Sequence, residues 1–276
     1  MNRLAKLRCK VHTIVCMKQI IDPEVPPHLF EIDPEEMKQI RGTHPLVISA
    51  YDEVAVEIAI QLKEKTDGKV TVITIGGDDT VESLHQAIAM GVDQAIRVTD
   101  PGLGDTDAFG NAQILAAAVR KVGDFDAVLC GRQAGDVELG LVGAFLAEEL
   151  GLPCATILAN IEPENGKVRM TRSVEAGYEV LETSTPFLAT VTNDESNVPR
   201  YASVRGMLAA RRAEIPVWSA DDLGIDPSAL GLGSAQIEME ELYIPERDVE
   251  CHLIEGDTGS EKAKNLIQYL RDEKLI

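Results

Sequence analysis

Gly131, Gly135, Gly140 and Gly143 stand between an apolar run and a helical one, within the stretch from Val128 to Leu150. Phe125 to Cys130 reads as a strand, and Leu141 to Leu150 as a helix stopped by Gly151. A strand, a glycine-bearing loop and a helix start form a layout that binds anions. Unpaired backbone N–H groups and the helix dipole favour negative charge there, and glycine lets it come close. The spacing is not Gly-x-Gly-x-x-Gly, and no Gly-Lys-Ser/Thr follows as in a P-loop. Strand–glycine–helix turns also occur for purely structural reasons, so spacing leaves a nucleotide loop and a plain turn both open.

The side chains around these glycines each have two readings. Arg132 can meet a phosphate or pair on the surface. Gln133 and Asp136 can orient a ribose or stabilise the turn. Lys18 and Asp22 close the first strand, either as part of a site or as a capped loop. Met207 and Leu208 offer an apolar anchor or ordinary helix packing, and Arg211 and Arg212 a basic patch or a solvated face. The five histidines share no ligand spacing, which disfavours a metal site. No Ser-His-Asp order and no Gly-x-Ser-x-Gly elbow is present, so hydrolysis is unsupported. The five cysteines include no Cys-x-x-Cys, which points to buried thiols in a reducing, cytoplasmic setting.

These residues need a scaffold, and the pattern supplies one. The chain has 276 residues and a net charge of −20. That charge argues against nucleic acid or an anionic membrane as partner. No apolar run is long enough to span a bilayer, and the basic start lacks a signal-peptide cleavage pattern. Val11 to Met17 reads as a central strand. The prolines of residues 18–27 argue against helix and sheet, and a long polar excursion runs to about Pro45. Ser49 to Lys65 is an amphipathic helix, with Val54, Ile58 and Leu62 on one face, Ser49 as N-cap and Gly68 as its stop. Strands at 69–77, 95–100 and 125–130 alternate with helices at 80–91 and 105–123, the latter entered through acidic caps. This is a doubly wound, mostly parallel α/β sheet of Rossmann-like, adenine-nucleotide-binding type. Ligands bind such sheets at the C-terminal strand ends, where Lys18–Pro23, Ile75–Gly77 and Gly131–Gly140 fall.

After Gly151 three β-like runs follow, with a hairpin turn at Asn165-Gly166, and antiparallel additions to the sheet are expected. Pro186 to Thr192 is apolar enough to be buried. Residues 198–218 form a loop and a short helix whose charges, Arg200, Arg205, Arg211 and Arg212, cluster. Residues 1–215 thus read as the α/β domain. Residues 216–276 read as an extended arm ending in an amphipathic helix, capped by Ser260, with Ala263, Leu266, Ile267 and Leu270 on one face. Such an arm is too thin for its own core and must lie on the domain or on another chain.

Five words in order resemble the beta subunits of electron-transferring flavoproteins, across nearly the whole chain. They are CMKQIIDPEV, AYDEVAVEIAIQLKE, ESLHQAIAMGVDQAIRVTD, GRQAGDVELGLVG and NVPRYASVRGMLAARRAEI. The resemblance implies an electron carrier that works with an FAD-binding alpha subunit, between flavin dehydrogenases of acyl-CoA dehydrogenase type and a downstream, quinone-linked acceptor. It implies AMP or a second FAD in this chain, at Cys16, Ser49, Ala50, Tyr51, Asp52, Ile75, Gly131, Arg132, Gln133, Ala134, Gly135, Asp136, Gly140, Leu141 and Val142. It implies partner recognition by Val204, Arg205, Gly206, Met207 and Leu208. Ser49, Ala50, Leu139 and Leu141 depart from the residues usual in the family. Two alternatives stand beside this reading. One is a bifurcating carrier with a second FAD and NADH as donor. The other is an adenine-nucleotide sensor or structural subunit with a decayed site.

Overall fold

The first strand, β1 (His12–Cys16), is β-branched and apolar, and it sits near the middle of a nine-stranded sheet. The structure is a computed structural model that describes residues 10–103, 106–164, 167–230, 235–237, 239–245 and 251–276. After β1 come β2 (Gln19–Ile21), β3 (Ile32–Asp33), β4 (Lys38–Gln39) and β5 (Leu46–Ile48). Then α1 (Ala50–Thr66), β6 (Lys69–Ile75), α2 (Val81–Met90), β7 (Gln94–Val98), α3 (Ala108–Val122), β8 (Ala127–Gly131) and α4 (Val142–Leu150) alternate. The rest comprises β9 (Cys154–Glu164), β10 (Lys167–Val174), β11 (Gly177–Thr183), β12 (Phe187–Val191), α5 (Val204–Ala210), β13 (Val217–Trp218), α6 (Ala220–Leu223) and α7 (Gly259–Asp272).

The sheet order is β11-β10-β9-β12-β8-β1-β6-β7-β13. From β9 to β13 across the middle every pairing is parallel, and β10 and β11 add antiparallel. This is the doubly wound sheet with antiparallel additions that the alternation predicts. Because β1 is flanked by β6 on one side and β8 on the other, the winding reverses between β1 and β8. That is where open α/β sheets form a crevice. Helices cover both faces. Val54, Ile58 and Leu62 of α1 and Leu84 of α2 pack on one side, while Ile114, Leu115 and Leu146 of α3 and α4 pack on the other. β12 is buried throughout, as its sequence suggests.

Several local expectations change. Gln19–Ile21 pairs antiparallel with Leu46–Ile48, because the prolines begin only at Pro23 and leave Gln19 to Ile21 free to bond. Asp67, in the left-handed region at φ 53°, ends α1 instead of Gly68. Gly68 is needed for another reason: a Cβ there would lie 2.0 Å from the Val11 carbonyl oxygen. Asp107 caps α3 by accepting from the Gly110 N–H, and Thr258, not Ser260, caps α7 in a reciprocal bond pair with Glu261. The Asn165-Gly166 turn, Asp105, Cys9 and the basic start lie outside the described residues. Cys16 and Cys130 are buried thiols, but Cys154 and Cys251 are exposed.

Residues 217–230, read from sequence as arm, lie against the α/β unit. Val217–Trp218 adds parallel to β7, and Ala220 and Leu230 bury in the α3 side of the core. By contrast α7 buries none of its residues. Among the described residues no helix is long and apolar enough to cross a membrane.

Candidate functional site

Ser49 and Asp52 have the spacing of a capping box, yet neither side chain caps α1. The Ser49 Oγ accepts instead from the Gly135 N–H at 3.2 Å. The Asp52 carboxylate accepts main-chain N–H bonds from Lys18, at 2.8 Å on Oδ2, and from Gly131, at 2.8 Å on Oδ1. One buried carboxylate thereby ties together the C-terminal ends of β1 and β8. Burial pushes its pKa up to about 7, against the two N–H bonds and the Lys18 charge; the Asp136 charge adds to the rise. Only glycine fits opposite it, since a Cβ on Gly131 would lie 2.6 Å from Asp52 Oδ1 and 2.8 Å from its nitrogen.

The loop leaving β8 is held at more points. Lys18 Nζ donates to Asp136 Oδ2 at 2.6 Å, while Asp136 Oδ1 accepts from the Val137 N–H. Arg132 donates to the Tyr51 hydroxyl at 2.7 Å and stacks on that ring, its guanidinium carbon 4.4 Å from the centroid. Its Nε is buried and has no partner. Beyond Asp136 the loop changes character. Val137 and Leu139 are exposed, Glu138 takes φ 54°, and Gly140 takes φ 66°. A left-handed residue just before α4 favours glycine, and Gly140 also passes the Arg132 carbonyl oxygen closely. α4 then begins at Val142 with Leu141 in the N-cap position and no side chain capping it. Its first N–H groups are the ones a helix start leaves without intrahelical acceptors.

Cys16 and Cys130 are register partners on β1 and β8 beneath this loop. A hydrogen bond with Cys16, together with burial, pushes the Cys130 thiol up, so it stays protonated. Gly143 lets α4 press on β12, because a Cβ there would lie 2.4 Å from Thr190 Cγ2.

The structure therefore brings Cys16, Ser49 to Asp52, Ile75, Gly131 to Asp136 and Gly140 to Val142 to one edge of the sheet, across the ends of β1, β6 and β8. The arrangement fits a nucleotide phosphate: an uncapped helix start, a glycine in the left-handed region and a buried guanidinium nitrogen without a partner. Leu139 and Leu141 contribute no polar side chain to it. Among the described residues no three His, Cys, Asp or Glu side chains converge as a metal site would require.

Val204 to Leu208 lie elsewhere, in α5 on top of α2. Gly206 makes that contact; a Cβ on it would lie 2.1 Å from the Ala89 carbonyl oxygen. Val204, Met207 and Leu208 point outward, 71%, 46% and 54% exposed, beside a fully open Tyr201. Arg200 is not part of a free basic cluster. Its main-chain N–H, Nε and Nη2 donate to the buried Glu57 of α1, and its guanidinium also reaches Glu64. The burial of Glu57 opposes ionisation, but the Arg200 bonds and a Gln61 bond win and hold its pKa below the usual value. Sequence reasoning missed this clasp, because the partners stand 143 residues apart.

Comparison with known proteins gives a concordant picture. The family described as Electron transfer flavoprotein domain matches residues 39–223. Over 267 residues the chain is 34% identical to the electron transfer flavoprotein subunit beta of Thermoanaerobacterium thermosaccharolyticum, covering 96% of this chain and 100% of that protein. It is 34% identical over 264 residues to the caffeyl-CoA reductase-Etf complex subunit CarD of Acetobacterium woodii, covering 95% and 99%. It is 29% identical over 268 residues to the acryloyl-CoA reductase electron transfer subunit gamma of Anaerotignum propionicum, covering 95% and 98%.

Proposed function

This chain belongs to the electron transfer flavoprotein family as a beta subunit, and from that premise we propose that it holds an adenine nucleotide, AMP or a second FAD, in the crevice between β1 and β8. The observation that carries this reading is the convergence of four separate segments on one sheet edge beside an uncapped helix start. In this reading the N–H groups around Gly140 and Val142 hold the phosphate, and Arg132 supplies the nearest positive charge. Ser49, Asp52 and Lys18 fix the loop, while Gly131 and Gly135 allow close approach. The flavin supplies the redox chemistry when bound. No side chain here needs to act as acid, base or nucleophile.

Beta subunits of this family pair with an alpha subunit and serve redox enzymes. The finer proposal is that the alpha subunit, holding the redox FAD, covers the arm. Leu253, Leu266, Ile267, Leu275 and Ile276 are all exposed there. The second finer proposal is a flavin dehydrogenase of acyl-CoA type as electron donor, in the cytoplasm. Two of the relatives are named as parts of CoA-thioester reductase systems, which supports a partner that acts on CoA thioesters; a reductase takes up electrons, so the donor role rests on the proposal alone.

Quantitative extraction of cofactors from the co-expressed heterodimer tests the nucleotide reading. One FAD with one AMP, or two FAD, upholds it. A single FAD with no second nucleotide overturns it.

A further inference from the structure

We propose that Asp52 is the positioning residue of the nucleotide loop, and that it works as a proton-operated clamp: the ionised carboxylate holds Gly131 against Lys18, and protonation loosens that hold. The inference takes residues 131–142 as the nucleotide loop, as proposed above.

The geometry makes the case. Asp52 is 6% exposed and lies where the winding of the sheet reverses. Each of its oxygens accepts one main-chain N–H, and those two N–H groups belong to different strand ends. A carboxylate satisfies both donors fully. A protonated carboxyl carries a donor on one oxygen, so one of the two bonds weakens. An N–H bond to an ionised acceptor is roughly twice as strong as one to a neutral group. The first half of the loop depends on this link together with Ser49–Gly135 and Lys18–Asp136. Gly131 has no slack to substitute another contact, because the carboxylate fills the space where a side chain would stand.

The groups facing Asp52 set the midpoint. Burial raises its pKa to about 7; the main-chain N–H bonds from Lys18 and Gly131 and the Lys18 charge oppose that, and Asp136 adds to it. Below the loop stand the Cys16 and Cys130 thiols, of which Cys130 is held protonated. On α1 itself Glu53, half-buried, is raised by burial against a bond from Gln86.

The sign is distinctive. In the unfolded chain this carboxyl ionises near 3.8, and in the fold at about 7. Between these values the folded state binds the extra proton, so Asp52 makes global stability fall as pH rises through that window. Loop order moves the opposite way, because opening that breaks the two N–H bonds while Asp52 stays desolvated removes interactions that favour the ionised form, so ionisation tightens the loop.

The test is hydrogen exchange on the full chain with its alpha subunit, across pH 6 to 8, corrected for intrinsic exchange. Protection at Gly131 to Gly135 should rise by about fivefold, the difference between a neutral and a charged acceptor. Asp52→Asn should flatten that profile at the loose level. Lys18→Met keeps the Lys18 N–H but removes its charge, and should move the midpoint upward; it serves where Asp52→Asn fails to fold. A flat profile in the native protein, or an unmoved midpoint in Lys18→Met, overturns the clamp. Loss of the nucleotide reading by cofactor extraction is a separate result: it would leave the exchange profile, and the clamp on this loop, in place.

Discussion

Lys18 Nζ stands 2.6 Å from Asp136 Oδ2, so the residue two places after β1 also holds the far side of the loop after β8. Both side chains keep some contact with water, 47% and 27% exposed. A pair of that kind contributes up to about 1 kcal/mol, and less in salt. Asp136→Asn preserves the acceptor for the Val137 N–H and removes the charge together with the oxygen that accepts from Lys18. AMP affinity should fall about two- to fivefold at low ionic strength, and hardly at all at high ionic strength. Calorimetric titration at both salt levels checks this. An equal loss at both would mean that the amide disturbs the turn itself.

Gly143 should be hard to replace on packing grounds. Its missing side chain is what lets α4 meet Thr190, and Thr190 is buried with its Oγ1 accepting from the Ile157 N–H. Gly143→Ala should destabilise by about 1–3 kcal/mol, the usual cost of overpacking. Gly151→Ala meets open space and only the strain of φ 67°, so it should cost about 1 kcal/mol. Thermal unfolding of the two variants gives the comparison, and the reverse order would refute it.

Arg200→Met should be among the most damaging single changes outside the site. It leaves Glu57 buried on α1 without its cation, at a cost of about 3–5 kcal/mol. The pH dependence has a fixed sign. Glu57 ionises more readily in the fold than in the unfolded chain, so its contribution is present above the ordinary glutamate value of 4.5. It is lost as pH falls through the lower folded value. Chemical denaturation should therefore show the gap between native and Arg200→Met chains closing under acid. A gap independent of pH would exclude the charge pair as the cause.

The scaffold was legible in sequence because its signals are local. The β-branched run of Val11 to Met17 and the four-residue spacing of Val54, Ile58 and Leu62 need no distant partner. Likewise the strand–helix alternation alone sends Cys16, Ile75 and Gly131 to the C-terminal ends of parallel strands. What sequence hid were the pairings. Ser49-x-x-Asp52 looks like a cap and is instead two staples, one to Gly135 and one joining Lys18 to Gly131. Arg200 looks like part of a basic cluster and is instead locked to Glu57. The 217–230 segment was hidden for a related reason: its few apolar residues form no core alone, yet Trp218, Ala220 and Leu230 complete an existing one.

Helix α7 should contribute to assembly and not to the fold. None of its residues is buried, but Leu266 and Ile267 form the middle of an apolar stripe. Removing residues 259–276 should leave thermal unfolding of the isolated chain unchanged. The heterodimer should weaken by about tenfold or more, as expected when apolar anchors are lost. Analytical ultracentrifugation of the truncated chain with its alpha subunit decides this. Undiminished association would remove the arm from the interface.

Docking of the dehydrogenase should depend on the outward face of α5. Ser203 accepts from the Gly206 N–H and starts the helix, while Gly206 seats it against Ala89. Arg200 anchors the preceding loop to α1. The segment is thus held at its start and along its inner face, with Val204, Met207 and Leu208 facing out. A fixed apolar side chain suits insertion into a partner's pocket, where an anchor contributes at least about 2 kcal/mol and some thirtyfold in affinity. Arg205, on the same short helix, would chiefly tune encounter rate and salt dependence. Met207→Glu should therefore raise the KM for electron transfer from an acyl-CoA dehydrogenase by about thirtyfold. Flavin content and reduction by dithionite should stay native. Gly206→Ala is the control, since it displaces the whole helix and should lower both docking and thermal stability. If Met207→Glu also loses flavin, the residue serves the fold; if transfer is unaffected, the dehydrogenase docks on another face.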